Sequence, residues 1–193
     1  MDHNDIRTLK ILEKIEENDM PSQRHLASEL DVSLGLVNSF IKRLANKGYF
    51  KITNLKPNKV RYILTPVGIA EKSRLTYEFI KYSYQLYSGA RHRLQELFRD
   101  LEFNGCCRIV FYGADDFAEI AYISCCSTRI EMIALVDDHK VGQHFFDTQV
   151  QAPSILAYLE YDKILITALN RSKKIFSQIL SLGIPTEKVL RFW

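Results

Sequence analysis

Residues 22–48 read SQRHLASELDVSLGLVNSFIKRLANKG. A serine hydroxyl accepts a hydrogen bond from an otherwise unsatisfied amide of a first helical turn, so Ser22 is placed to cap a short helix over residues 23–30. Asp31 and Val32 turn the chain. Ser33 then caps a second helix from residue 34 to about 47, which Gly48 stops. Two short capped helices around a tight turn are the pattern of a helix-turn-helix.

In the second of these helices Val37, Phe40, Ile41 and Leu44 share one face, with Leu36 at its margin. Opposite lie Gly35, Asn38, Ser39, Lys42, Arg43 and Asn46, a surface free of acids and rich in hydrogen-bonding groups. A helix that enters a DNA major groove has to present such a surface, although an ordinary solvated face is the alternative for this helix alone. The flanking sequence bears on that choice. Ile6, Leu9, Leu12 and Ile15 recur at helical spacing and predict a preceding helix that ends near Asn18. Two β-rich runs, residues 49–53 and 60–64, follow it and are joined by Asn54-Leu55-Lys56-Pro57-Asn58-Lys59, a basic hairpin tip. A hairpin directly after a recognition helix is a wing. Lys56, Asn58, Lys59 and Arg61 are its candidate contacts to the sugar-phosphate backbone, while Asn38, Ser39, Lys42 and Arg43 are the candidate base readers. Ser22, Gln23, Ser33 and Gly35, at the two helix starts, complete the candidate DNA-binding set.

The charge distribution agrees with this division. The chain of 193 residues has a net charge of only +3, but residues 32–70 contain seven Lys or Arg and no Asp or Glu. After Asn104 there are nine Lys or Arg against ten Asp or Glu. A basic block beside a neutral half indicates separate modules, the first of which meets a polyanion. With 47% apolar and 25% charged residues the chain is neither disordered nor fibrous. It has no apolar run near the roughly 20 residues of a membrane span, and its first residues, MDHNDIRTLK, are charged, so a soluble cytoplasmic protein with no membrane partner is expected.

The segments Ser22-Gln23-x-x-Leu26-Ala27-x-x-Leu30, Val32-Ser33-Leu34-Gly35-x-Val37-Asn38, Lys47-Gly48-Tyr49 and Tyr62-x-Leu64-Thr65-Pro66-x-Gly68-Ile69-x-Glu71-Lys72 resemble the MarR-type winged-helix regulators associated with exopolysaccharide gene clusters. The resemblance covers about residues 5–98 and implies a DNA-binding transcription regulator. Thr65 caps and Pro66 opens a long helix to about Leu101. Along it Leu75, Phe79, Tyr82, Leu86, Ala90, Leu94, Leu97 and Leu101 form a stripe, with Ser88-Gly89 as a candidate break. Such a stripe needs a partner surface, either within the monomer or in a homodimer that reads two half-sites of double-stranded DNA.

Beyond residue 105 the pattern changes. Residues 107–112 form an apolar strand running into Gly113-Ala114-Asp115-Asp116-Phe117-Ala118, which opens a helix to about residue 126. Strands are predicted at residues 130–136, 148–151, 163–167 and 188–192, with helical segments near 153–159 and 172–182, which points to a parallel Rossmann-like sheet. The expected architecture is an α+β winged helix-turn-helix domain (1–72), a long linking helix (73–104) and an α/β Rossmann-like domain with a parallel sheet (105–193). In a G-x-G-x-x-G reading Gly113 holds the first position, but Asp115 replaces the second glycine and would repel a pyrophosphate. Asp137, 24 residues after Gly113, sits where an acid would hold a ribose hydroxyl. Gly113, Ala114, Asp115, Asp116, Phe117, Asp137, Asp138 and Thr167 are the candidate ligand-binding residues, and Asp137-Asp138 ending a strand is the simpler alternative.

Residues 109–114 (IVFYGA), 134–138 (ALVDD), Val141-Gly142, Val150 and 164–167 (ILIT) resemble the small Rossmann-like domain on the N-terminal side of membrane-linked nucleotide-sugar dehydratases and epimerases of polysaccharide synthesis. This resemblance implies a nucleotide or nucleotide-sugar as effector. An NAD(H)-responsive redox repressor of the Rex type is the second reading, and an enzyme fragment of nucleotide-sugar metabolism the third. No Tyr-x-x-x-Lys pair or Ser/His/Asp order supports catalysis, so a non-enzyme without a catalytic or metal site is expected, and no cofactor is certain. His139 and His144 beside Asp137, Asp138 and Asp147 read as solvated loop residues rather than metal ligands. Cys106-Cys107 and Cys125-Cys126 lack the usual spacing of zinc ligands and read as buried free thiols.

Overall fold

The computed structural model describes residues 1–18, 20–56 and 59–192, with the backbone alone for residues 54–56 and 59. The chain divides into two compact units, residues 1–85 and 86–193.

The first unit contains α1 (His3–Glu17), α2 (Gln23–Glu29) and α3 (Leu34–Asn46), then β1 (Phe50–Lys56), β2 (Lys59–Leu64) and the start of α4 (Pro66–Phe103). The caps form as the sequence predicts. The Ser22 hydroxyl accepts from the His25 amide at 3.1 Å, that of Ser33 accepts from the Leu36 amide at 3.3 Å, and Gly48 leaves α3 at φ +74°. β1 and β2 pair antiparallel, Phe50 opposite Leu64, with a bulge near Asn54. They extend further toward the tip than the predicted runs. Leu9, Leu12, Ile15, Leu26, Val37, Phe40, Ile41 and Leu44 pack with Phe50, Tyr62 and Leu75 into one core. Phe50 and Tyr62 meet edge to face, with ring centroids 5.6 Å apart.

The start of α4 is locked to the turn after α3. The Thr65 hydroxyl caps it by accepting from the Gly68 amide at 3.1 Å and donates to the Gly48 and Tyr49 carbonyls. Gly68 lies against the same turn so closely that a Cβ there would stand 1.8 Å from the Tyr49 carbonyl oxygen.

The second unit is built on a four-stranded sheet of order β4-β3-β7-β8, all parallel: β3 (Arg108–Tyr112), β4 (Glu131–Val136), β7 (Lys163–Ile166) and β8 (Val189–Arg191). Side chains alternate across a strand, and the core divides accordingly. Ile109, Phe111, Leu135 and Leu165 face α5 (Asp116–Cys125) together with Leu94, Phe98 and Leu101 of α4. Val110, Tyr112, Ala134, Val136, Ile164 and Ile166 face α6 (Ser172–Ser181) through Ile175 and Ile179. The architecture is thus an α+β winged-helix region, a long helix and a parallel Rossmann-like sheet.

Four expectations are corrected. The segment at 148–151 does not join the sheet as a strand. β5 (His144–Phe145) and β6 (Thr148–Gln149) form a small antiparallel hairpin, turned through Phe146 at φ +46°, and only Gln151 bridges to Val136. The helical segment expected near 153–159 is present, as a 3₁₀ helix over Pro153–Ala157. Ser88-Gly89 does not interrupt α4, which is helical throughout Pro66–Phe103. The predicted stripe is also not one continuous surface: Leu75 enters the first core and Ala90, Leu94, Leu97 and Leu101 enter the second, while Phe79 and Leu86 remain exposed. The expectation of buried thiols holds for Cys106 and Cys125 but is corrected for Cys107 and Cys126, which point away one residue on and are exposed. Burial pushes the Cys125 thiol up to about 12, which makes it inert at neutral pH.

Replacing Gly68 with Ala is expected to destabilise the winged-helix unit by about 2–4 kcal/mol, because the backbone of Tyr49 cannot yield. Gly35, with open space around its Cβ position, provides the contrast. Gly35→Ala should be neutral or stabilising by up to ~1 kcal/mol. Urea unfolding of the full chain, followed by circular dichroism, compares the two. Equal losses would refute the packing argument.

Candidate functional site

In the first unit Leu34, Gly35, Leu36, Ser39, Lys42, Arg43 and Asn46 are exposed on α3, and Asn38 is half-buried. The four residues that fix the opposite face, Val37, Phe40, Ile41 and Leu44, are buried, so tertiary packing orients the polar face outward. The Arg43 guanidinium lies over the Phe40 ring, 4.3 Å from its centroid, which restricts that long side chain. Lys42 forms no ion pair among the described residues. Ser39 donates to the Gly35 carbonyl at 3.1 Å, and Ser22 and Ser33 serve as caps. Gln23 reaches across to β2, its amide donating to the Tyr62 hydroxyl at 3.4 Å. A concavity of about 830 Å³ between the start of α2 and β2 is lined by Ser22, Gln23, Arg24, Leu34, Val60 and Tyr62. Arg61 is half-buried on β2. Asn58 and the side chains of Lys56 and Lys59 lie outside the described residues.

In the second unit the predicted ligand residues converge at the carboxyl ends of β3 and β4, but they are bound mainly to each other. Asp137, fully buried just after β4, accepts from the Ala114 amide at 3.0 Å and the His139 amide at 2.8 Å. Arg171 grips both of its oxygens, at 3.2 and 2.7 Å. Burial alone would raise the Asp137 carboxyl. Arg171 and the two amides outweigh it and hold the group at about 2. The Arg171 guanidinium is itself raised by Asp137.

Asp115 stands at the N-cap of α5 without accepting a capping bond. It pairs instead with Lys140 at 3.0 Å and lies 3.6 Å from Arg171, while Lys140 also donates to the Ala114 carbonyl at 2.8 Å. Asp116 and Glu119 occupy the first turn of α5, so that helix end is already compensated by its own acids. Asp138 accepts from the Tyr112 hydroxyl at 3.2 Å, and burial together with Asp138 raises that phenol. Thr167 donates to the Gly113 carbonyl, and Phe117 packs on Phe192 with ring centroids 5.0 Å apart.

Gly113 is required here for a reason other than phosphate approach. It sits at φ +114°, and a Cβ would stand 2.4 Å from that of Ala168 and 2.6 Å from the Ala168 amide nitrogen. The glycine lets the β3 and β7 ends close on each other. Sequence reasoning missed Arg171 and Lys140, the two cations of the network. For Arg171 the available signal was the run Arg171-Ser172-Lys173-Lys174 in the segment that leads from β7 into α6. Among the described residues no group of three His, Cys, Asp or Glu is placed to hold a metal ion, and no helix is long and apolar enough to cross a membrane.

Residues 1–51 match the family model for winged helix-turn-helix DNA-binding domains, and residues 106–190 match one described as C2185-like, N-terminal. No curated protein matches the chain. A solved structure described as PigF with SAH is similar at 13% sequence identity and a TM-score of 0.34, over 98% of this chain and 72% of that one. The chain therefore carries an N-terminal winged helix-turn-helix DNA-binding domain, followed by a distinct Rossmann-like unit.

Replacing Arg171 with Met should strand the Asp137 charge and cost about 3–5 kcal/mol. In the native chain the Asp137 contribution is full above its ordinary value of 3.8 and is lost as pH falls toward about 2. In the variant only the Ala114 and His139 amides oppose burial, so the carboxyl rises above its native value, and where it exceeds its ordinary value of 3.8 folding takes up a proton and stability should increase as pH falls from 7 toward 5. Urea midpoints across that range test this. A variant whose midpoints track those of the native chain would show that Asp137 does not depend on Arg171.

Proposed function

We propose that the protein is a DNA-binding transcription regulator that acts as a homodimer and controls exopolysaccharide or lipopolysaccharide genes, with a nucleotide or nucleotide-sugar as effector of its second unit. The observation that carries the DNA part is the acid-free exposed face of α3, where Lys42, Arg43 and Ser39 stand outward beside an antiparallel hairpin. A recognition helix needs charge for the phosphates and donors for base edges, and this face supplies both. The concavity between α2 and β2 supports a sugar-phosphate strand running alongside the groove.

The homodimer is supported by the exposed middle of α4. Tyr77, Ile80 and Tyr84 are each 61–68% exposed there, which is costly for three large side chains on one face of consecutive turns. The theme of polysaccharide genes rests on the two sequence resemblances. For the effector, the parallel sheet supports a ligand at its carboxyl edge. An NAD(H) effector is disfavoured by the filled region after Gly113, where Asp115 stands in the pyrophosphate's place and Ala168 lies against the glycine.

A gel-shift assay over DNA from the gene's own upstream region tests the reading. Binding should weaken linearly on a logarithmic plot as salt rises, with a slope of about 0.9 for each phosphate contact. Lys42→Ala combined with Arg43→Ala should weaken specific binding at least tenfold, as one lost bidentate base contact is worth about 1–3 kcal/mol. Salt-insensitive binding, or binding indifferent to both changes, would rule out α3 as the reading helix.

A further inference from the structure

The two helices that start at the carboxyl edge of the sheet have opposite electrostatic character. α5 opens on Asp115, Asp116 and Glu119. α6 opens with no acid in its first turn and no capping side chain, and it continues directly from a 3₁₀ turn over Leu169–Arg171. Beside that end lies a cavity of about 470 Å³ lined by Leu169, Asn170, Arg171, Ser172, Lys173, Lys174 and Arg191. Among the described residues no carboxylate lines it. Its cations come from two places, since Arg191 ends β8 while the others follow β7.

Those cations are differently committed. Arg171 is turned to Asp137, and the Arg191 guanidinium rests over the Phe176 ring, 4.5 Å from its centroid. Lys173 and Lys174 are exposed and form no ion pair among the described residues. Ser172 adds an observation independent of charge. It is only 6% exposed and lines the cavity, yet its hydroxyl has no hydrogen bond among the described residues. An unpaired hydroxyl is a donor available to a molecule in the cavity.

We propose that this cavity binds the phosphate or diphosphate group of a phosphorylated small molecule. The Ser172 hydroxyl donates to its oxygens, and Lys173, Lys174 and Arg191 neutralise it. The inference rests on the second unit being the ligand-binding part of the protein, and it moves the anion from the acid-filled start of α5 to the start of α6.

Isothermal titration of the full chain with inorganic pyrophosphate, at fixed ionic strength set by chloride, tests it, with UDP-glucose as a second probe. Pyrophosphate is expected to bind and to compete with UDP-glucose. Lys173→Ala combined with Lys174→Ala, at exposed positions that leave the core intact, should weaken both at least tenfold. Ser172→Ala should weaken them about threefold or more with an unchanged melting temperature. Pyrophosphate binding that is indifferent to these substitutions, or absent, would overturn the α6 site. If UDP-glucose still bound with native affinity to the Lys variants, the α6 site would fall while the nucleotide-sugar reading stood. Binding of neither probe would remove both.

Discussion

A charge without water has to be answered by the protein, and Asp137 imposes that condition on the second unit. Its carboxylate is fully buried at the end of β4, and each contact it makes ties another part of the edge into place. The Ala114 amide belongs to the segment after β3, the His139 amide to its own loop, and Arg171 to the segment leading into α6. Arg171 also approaches Asp115, and Lys140 joins Asp115 to the Ala114 carbonyl. Three connections of the sheet are thereby fastened at one point. Two carboxylates and two cations leave the network close to neutral, which fits its role as a structural clasp.

The clasp also shapes what the edge can bind. Asp115 and its cations fill the region where a dinucleotide phosphate would lie, and Gly113 spends its freedom on contact with Ala168. The cations without an acidic partner among the described residues stand at α6, where Lys173 and Lys174 line the cavity. In the first unit the same economy appears in simpler form. The buried face of α3 fixes which way its cations point, and the seam of Thr65 and Gly68 against Gly48 and Tyr49 fixes where α4 begins.

Much of this was legible in the residues. Ser22, Ser33 and Thr65 act through amides within three residues of themselves, so their caps are local and can be read without a fold. The unbroken apolar run of β3 and the alternation of strands with helices beyond residue 105 mark a parallel sheet covered on both faces. The short pairing at 144–149 misled because a β-rich run does not reveal its partner. Phe145 pairs with Thr148 across a turn, and only Gln151 reaches the sheet. The stripe along α4 was likewise real as a periodicity but was divided by tertiary packing, its two ends entering separate cores.

By itself the sequence determined the capped helix-turn-helix, the basic excess of residues 32–70, the long helix opened by Thr65-Pro66 and the strand-helix alternation beyond residue 105. These depend on spacing, capping and charge count, which act over a few residues. Only the tertiary structure decided that Asp137 is answered by Arg171, 34 residues away, that Gly113 serves Ala168, and that Ser172 lines a basic cavity. Burial and pairing across strands are properties of the assembled sheet, because both the desolvation of a charge and the space beside a glycine are set by residues distant in the chain.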